Sequence, residues 1–141
     1  MAMRILLAAA AALPMLALAA PAGAATLSDA YLVGTWSTGA VAACSDAAAE
    51  RSVFRADGTF ATERNGKAVA VGFWELADDK LAMHVLADNN TVPELDPLDA
   101  DYGYYMLRAL VFDVADDSFR MVQSIGTHLQ GVNAVRCPAS P

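Results

Sequence analysis

A run of carboxylates between residues 88 and 101 is the densest group of potential ligands in the sequence. Its acidic side chains are Asp88, Glu94, Asp96, Asp99 and Asp101. Calcium favours clustered carboxylate oxygens, but the spacing fits no calcium-loop motif, and a solvated acidic loop accommodates the same charges through water and salt. Both interpretations stay open. The length of the loop makes it a candidate lid or contact surface at one end of the fold.

The two histidines, His84 and His128, are the residues most suited to acid–base or metal chemistry, yet the sequence shows no partner at ligand spacing. His84 shares with Lys80 what we expect to be the outer face of a strand. No serine lies in a Gly-x-Ser-x-Gly elbow or a Ser-x-x-Lys arrangement, and no phosphate-binding loop is present. We therefore expect a protein that is not an enzyme, and we assign it no cofactor.

Three tyrosines, Tyr102, Tyr104 and Tyr105, directly follow the acidic run. Each offers a flat apolar face and a polar tip, so tyrosines at a strand end suit a ligand entrance or a protein contact patch. The alternative is that they are half-buried residues of the fold. We name them as candidate ligand-binding residues.

Residues 1 to 25 have the pattern of a cleaved signal peptide. One charge, Arg4, precedes an apolar run from Ile5 to Ala20, and small residues follow at 22–24. We therefore expect a periplasmic or secreted protein with a single domain over residues 26–141. No apolar span is left after cleavage to insert stably in a membrane. The net charge of −7 argues against a nucleic-acid partner.

Two cysteines, Cys44 and Cys137, remain after the leader. In an oxidising compartment an even pair indicates a disulfide. A redox or metal pair would need thiols close in sequence or further ligands, and the sequence has neither. We predict a structural disulfide that closes a long loop.

The elements that must position these residues are short strands. Turn signals such as Asp57-Gly58, Asn65-Gly66 and Asp116-Asp117 separate eight runs of strand-like sequence. The runs cover residues 33–38, 50–56, 59–64, 68–76, 80–87, 102–115, 118–124 and 127–137. Tight turns force antiparallel neighbours. The sequence therefore predicts an all-β, eight-stranded antiparallel up-and-down barrel, and two packed sheets are the alternative.

Alternation of apolar and polar residues predicts which side chains face the core. The expected inward set is bulky and argues against a large empty cup: Trp36, Phe54, Phe60, Phe73, Leu81, Met83, Tyr104, Met106, Phe119 and Met121. Within it, Phe73 and Met83 are named as candidate ligand-binding residues. The run 102–115 is apolar on both faces, so either a bulge switches faces midway or its outer face is covered.

The opening of the mature chain resembles that of lipocalins and avidins, the calycin barrels. A helical turn at residues 28–32 leads into Gly34-Thr35-Trp36, and Phe54 to Phe60 and Gly72 to Leu76 resemble small bacterial exported lipocalin-like proteins. The resemblance implies that Trp36 packs against Arg136 from the last strand and closes one end. It also implies binding of a small apolar ligand or of an envelope protein.

A second resemblance is to periplasmic inhibitors of secreted bacterial metalloproteases. Those inhibitors are small eight-stranded barrels that open with Gly-x-Trp, followed by a cysteine, and insert their N-terminal residues into the protease cleft. The corresponding segment here is Thr26 to Asp29. This resemblance implies an alternative function, inhibition of a protease through the N-terminal segment.

Overall fold

Eight strands form one closed antiparallel barrel in which every strand pairs with its neighbours in sequence order. The structure is a computed structural model that describes residues 25–88, 105–125 and 127–139. The strands are β1 Gly34–Ser37, β2 Arg51–Phe54, β3 Thr59–Arg64, β4 Lys67–Ala77, β5 Lys80–Asp88, β6 Tyr105–Ala115, β7 Ser118–Ile125 and β8 His128–Arg136. Helix α1 (Asp29–Leu32) precedes β1, and a 3-10 helix (Val41–Cys44) follows it.

Pairing between the first and the last strand closes the barrel. Trp36 lies opposite Arg136 and Ser37 opposite Val135, and the amide of Cys137 donates to the carbonyl of Thr35 at 2.8 Å. The prediction of a barrel is confirmed, and the alternative of two packed sheets is wrong. Closure leaves no unpaired sheet edge between β8 and β1.

A tryptophan closes one end of the barrel from inside. Trp36 is 2% exposed, and its indole Nε1 donates to the carbonyl of Leu32 at 2.7 Å. Its ring meets Phe119 at 4.8 Å and Tyr31 at 5.4 Å between centroids. Ser28 caps α1 by accepting from the amide of Tyr31, which stabilises the short helix at this end of the barrel.

Arg136 seals the same end from the rim. Its guanidinium carbon lies 4.3 Å from the centre of the Trp36 ring and 5.1 Å from that of Tyr31. Its two terminal nitrogens donate to the carbonyls of Val33, at 3.1 Å, and of Tyr31, and its Nε lies 3.5 Å from Asp117. The predicted packing of Trp36 against Arg136 is confirmed.

The prediction that Phe73 faces the core is wrong. Its side chain is 51% exposed on the outer wall, and the neighbouring Trp74 takes the inward position at 7% exposure. The indole of Trp74 donates to the carbonyl of Arg55 at 3.1 Å and packs against Phe54. A buried tryptophan needs a partner for its N–H, and the turn after β2 supplies one.

The prediction that Met106 faces the core is also wrong, because the other face of β6 packs against the core. Val111 is buried and Leu107 packs against the core, whereas Leu110 is 46% exposed. The sulfur of Met106 accepts from Nε of Arg108 on the outer wall. The register shift in β6 comes after Phe112, near the end of the strand, rather than midway. Tyr104 lies outside the described residues.

The remaining inward predictions agree with the structure. The buried core includes Trp36, Phe54, Phe60, Leu81, Phe119 and Met121, and Met83 packs against it partly buried. These large side chains fill much of the barrel interior.

Cys44 and Cys137 form the predicted disulfide. Their Sγ atoms are 2.00 Å apart and their Cα atoms 5.4 Å apart. The bond ties the 3-10 helix after β1 to the residue after β8, next to the Trp36–Arg136 contact. Such bonds persist in oxidising compartments. Within the described ranges no helix is long and apolar enough to cross a membrane, and residues 1–24 of the predicted leader lie outside those ranges.

Replacing both cysteines by alanine should lower the free energy of unfolding by about 4 kcal/mol, because the bond closes a long loop in the unfolded chain. Urea unfolding followed by tryptophan fluorescence measures the difference. The wild-type protein should lose the same stability in dithiothreitol, whereas the double variant should be insensitive to it. Equal stability of the two proteins without reductant would contradict the prediction.

Arg136→Lys should lower the free energy of unfolding by about 2 kcal/mol, since an ammonium cannot stack on Trp36 while donating to both carbonyls. The matched control is Arg120→Lys. Arg120 also lies over an aromatic ring, Phe112 at 5.1 Å, and pairs with Asp113, but it is exposed. The control should change stability by less than about 0.5 kcal/mol. Similar losses in the two variants would show that Arg136 does not seal the barrel.

Candidate ligand-binding site

Within the described residues, cavities of the barrel interior lie toward the end opposite the Trp36–Arg136 plug. In an up-and-down barrel with the plug at the end of β8, the other end is formed by the beginnings of β2, β4, β6 and β8 and the ends of β1, β3, β5 and β7. We call this end the mouth. Among the described residues its rim carries Glu50, Asp88, Tyr105, Gln123 and Gln130.

A cavity of about 230 Å³ lies inside the barrel between the plug and the mouth. The side formed by β1 to β3 carries the hydroxyl groups of Thr38, Ser52 and Thr62 together with the rings of Trp36 and Phe54. The side formed by β5 to β8 is apolar apart from Gln123. Its apolar members are Leu81, Met83, Leu107, Phe119, Met121 and Ala134. We call this space the inner cavity, and its two walls suit a ligand with one polar edge.

A second cavity of about 510 Å³ lies at the mouth. It adjoins the inner cavity, because both are lined by the same four residues, Glu50, Thr62, Met83 and Leu107. We call it the mouth cavity. The inner cavity can therefore be reached from the mouth past these four side chains.

A bulge in β5 brings Asp88 to the mouth. Gly72 pairs with Val85 and Val71 with Ala87, so Leu86 is the extra residue. Without this shift the side chain of Asp88 would lie on the outer face of the strand, as that of His84 does. With it, Asp88 lies on the inward side and lines the mouth cavity.

Tyr105 donates a hydroxyl hydrogen bond to Oδ2 of Asp88, which lies on the neighbouring strand at the mouth. Burial raises the pKa of the Tyr105 phenol well above its ordinary value, and the hydrogen bond to Asp88 and the negative charge of Asp88 raise it further. The phenol therefore stays protonated and remains a donor at every physiological pH. The pair fixes the first residue of β6 against the last residue of β5.

Glu50 is the charged residue common to both cavities. Its Oε1 lies 3.2 Å from Nη1 of Arg64, an ion pair at the edge of the mouth. Of the described residues that line either cavity, the charged ones are Glu50 and Asp88.

The structure brings two of the predicted ligand-binding residues to this site. Tyr105 lines the mouth cavity, and Met83 lines both cavities. Phe73 lies on the outer wall, away from the site, and Tyr102 and Tyr104 lie outside the described residues. Sequence reasoning missed Glu50, Ser52, Thr62, Leu107 and Gln123. The sequence did carry a signal for Ser52 and Thr62. Each lies two residues from a core residue, Phe54 or Phe60, and therefore on the same face of its strand.

The histidines lie away from the inner cavity. Nε2 of His84 is 3.2 Å from Oε1 of Glu75 on the outer wall, and His128 begins β8 as an exposed residue. In the described part of the chain, no three histidine, cysteine or acidic side chains are grouped closely enough to hold a metal ion. Residues 94–101 of the acidic run, for which the sequence leaves a calcium site and a solvated loop both open, lie outside that part.

The N-terminal segment named for protease inhibition lies at the plugged end. Leu27 packs against the core cluster, and Ser28 caps α1. The segment is therefore anchored to the barrel at the end opposite the mouth.

The outer wall of β4 to β8 exposes large apolar side chains. Leu110 and Leu129 border a groove of about 640 Å³, with Lys80 and Arg108 at its sides, and Phe73 is exposed on the same wall. The apolar residues on both faces of β6 therefore divide between the core and this groove.

Comparisons of the chain with protein-family models, with curated proteins and with solved structures find no match. The fold is known from its own topology. A closed barrel of eight antiparallel strands is consistent with a calycin-like fold.

Tyr105→Phe should make stability less sensitive to alkaline pH. A raised phenol pKa means that the folded protein favours the protonated form. The stabilisation is therefore complete below the ordinary tyrosine pKa of about 10 and is lost as pH rises above it. Unfolding measured from pH 8 to 12 should show a steeper loss in the wild type than in the variant.

Asp88→Asn serves as the companion variant, because it removes the charge but keeps a possible acceptor. Absorbance titration of the folded protein should then show a phenol that ionises at lower pH than in the wild type. An unchanged titration in Asp88→Asn would contradict the assigned contact.

Proposed function

We propose that the protein is a non-enzymatic, lipocalin-like β-barrel that binds a small ligand with an apolar body through its mouth. The observation that carries the proposal is the inner cavity itself, which combines a mostly apolar lining with the hydroxyl groups of Ser52 and Thr62 and adjoins the mouth cavity. Ligand sites in proteins combine apolar lining with a few placed polar groups in this way.

The size of the inner cavity limits the ligand. An apolar protein cavity of about 150 Å³ holds a benzene molecule, so the 230 Å³ found here suits a ligand with one ring and a short substituent. The mouth cavity leaves room for a further polar portion. The bulky core residues leave the inner cavity itself too small for a large lipid.

The rigidity of the barrel supports a binding function. The plug, the disulfide and strand closure all lie at or near one end, so the walls of the cavity are formed before a ligand arrives. A preformed site loses little conformational entropy on binding. Catalysis is not proposed, since Ser52 and Thr62 face the cavity while His84 lies on the outer wall. The leader pattern and the disulfide support a periplasmic or secreted location.

A panel of small ring compounds should raise the melting temperature of the native exported protein. At a ligand concentration of 100 times Kd the stabilisation is about 2.7 kcal/mol. Quenching or shift of Trp36 fluorescence gives a second readout, because this ring lines the inner cavity. Mass spectrometry under native conditions tests for a ligand that co-purifies.

Thr62→Phe should abolish these responses, because the added ring fills the passage between the two cavities. The control Leu110→Phe places the same ring on the outer wall, where Leu110 is already exposed, and should leave binding unchanged. A folded wild-type protein that carries no ligand and responds to no compound in the panel would overturn the proposed function. Equal responses in wild type and Thr62→Phe would place the ligand elsewhere.

A further inference from the structure

We propose that the ligand is an uncharged ring compound whose polar end is one oxygen group, an alcohol or a ketone. This inference rests on the proposed function and adds the chemical class of the ligand. It depends on two neighbouring hydroxyl groups in the inner cavity and on the pairing of the charges near that cavity.

The two hydroxyl groups belong to Ser52 and Thr62. These residues lie directly opposite each other on β2 and β3, and both line the inner cavity. Among the described residues neither hydroxyl has a hydrogen-bond partner, and the two are not bonded to each other. The Cβ atoms of directly opposed residues are about 5 Å apart, so both hydroxyls can reach the same ligand atom.

One ligand oxygen can satisfy this pair. Each hydroxyl can donate one hydrogen bond and can also accept, so the pair fits a ketone oxygen that only accepts or an alcohol that does both. A ligand without a polar atom would displace water from the two hydroxyls and leave them unpaired, which costs binding free energy. The pair therefore favours an oxygen-bearing ligand over a hydrocarbon of the same shape.

The charges near the cavity are already paired. Of the described residues that line the inner cavity, Glu50 alone is ionisable, and its Oε1 lies 3.2 Å from Nη1 of Arg64. In the mouth cavity, Asp88 accepts from Tyr105 and makes a further interaction. A ligand ammonium or carboxylate would lose hydration on entry and would find no unpaired charge of opposite sign to replace it. The lining therefore disfavours both kinds of ion.

The side of the cavity formed by β6 and β7 suits the ring. Leu107, Phe119 and Met121 line it there. Aromatic rings and thioethers both pack favourably against an aromatic ligand. The ligand would therefore lie with its ring against these three side chains and its oxygen toward Ser52 and Thr62.

Four compounds of similar size test the inference: 2-phenylethanol, ethylbenzene, 2-phenylethylamine and phenylacetate. Isothermal titration with the native protein at pH 7 should show that the alcohol binds roughly tenfold more tightly than ethylbenzene, because it pairs the two hydroxyls. The amine and the acid, both charged at this pH, should bind at least about tenfold more weakly than the alcohol.

Thr62→Val removes one hydroxyl and keeps the shape of the side chain. It should reduce the preference for the alcohol over ethylbenzene to about threefold or less, with little loss in affinity for ethylbenzene. Ser52→Ala should have the same effect. The matched control is Thr35→Val, which makes the same change in a residue that lines an outer cleft near the disulfide. The control should keep the full preference.

The outcomes separate this inference from the proposed function. If ethylbenzene, the amine or the acid binds as tightly as the alcohol, or if Thr62→Val and Ser52→Ala keep the full preference, the inference is overturned and the function stands. The same holds if other ring compounds bind and these four do not. If neither these four nor any compound of the wider panel binds the folded protein, both are overturned.

Discussion

The contact between the first and the last strand is the constraint on which the rest of the structure depends. Only two residue pairs join β1 to β8 directly, which is little backbone pairing for the closure of a barrel. Arg136 stacked on Trp36, its hydrogen bonds to the carbonyls before β1, and the Cys44–Cys137 bond all lie beside these pairs. Side-chain contacts and a covalent bond therefore reinforce the seam where hydrogen bonding is shortest.

This reinforcement also makes the two ends of the barrel different. Because the plug fills one end with indole, phenol and guanidinium groups, the cavities of the described interior extend toward the other end. There the strands carry smaller or polar residues, such as Ser52 and Thr62, opposite the apolar side chains of β5 to β8. The asymmetry along the barrel axis thus places the plug at one end and the hydroxyl-bearing residues toward the other.

The sequence predicted the fold well because its signals are local or chemically specific. Turn dipeptides marked the strand boundaries, the cysteine pair gave the disulfide, and the resemblance to lipocalins gave the Trp36–Arg136 contact. Face assignment failed at Phe73 and Met106, where adjacent apolar residues compete for the core and only three-dimensional packing decides. The site was harder to predict, because the bulge at Leu86 changes the face of Asp88, and no local pattern marks that bulge.

The pairing of β1 with β8 has a consequence for folding. The two strands come from opposite ends of the barrel sequence, so the barrel cannot close until the C-terminal strand has left the ribosome. Folds that depend on such distant contacts form slowly, because the chain loses loop entropy before those contacts stabilise it. Until closure, β1 and β8 would both present open edges to other chains.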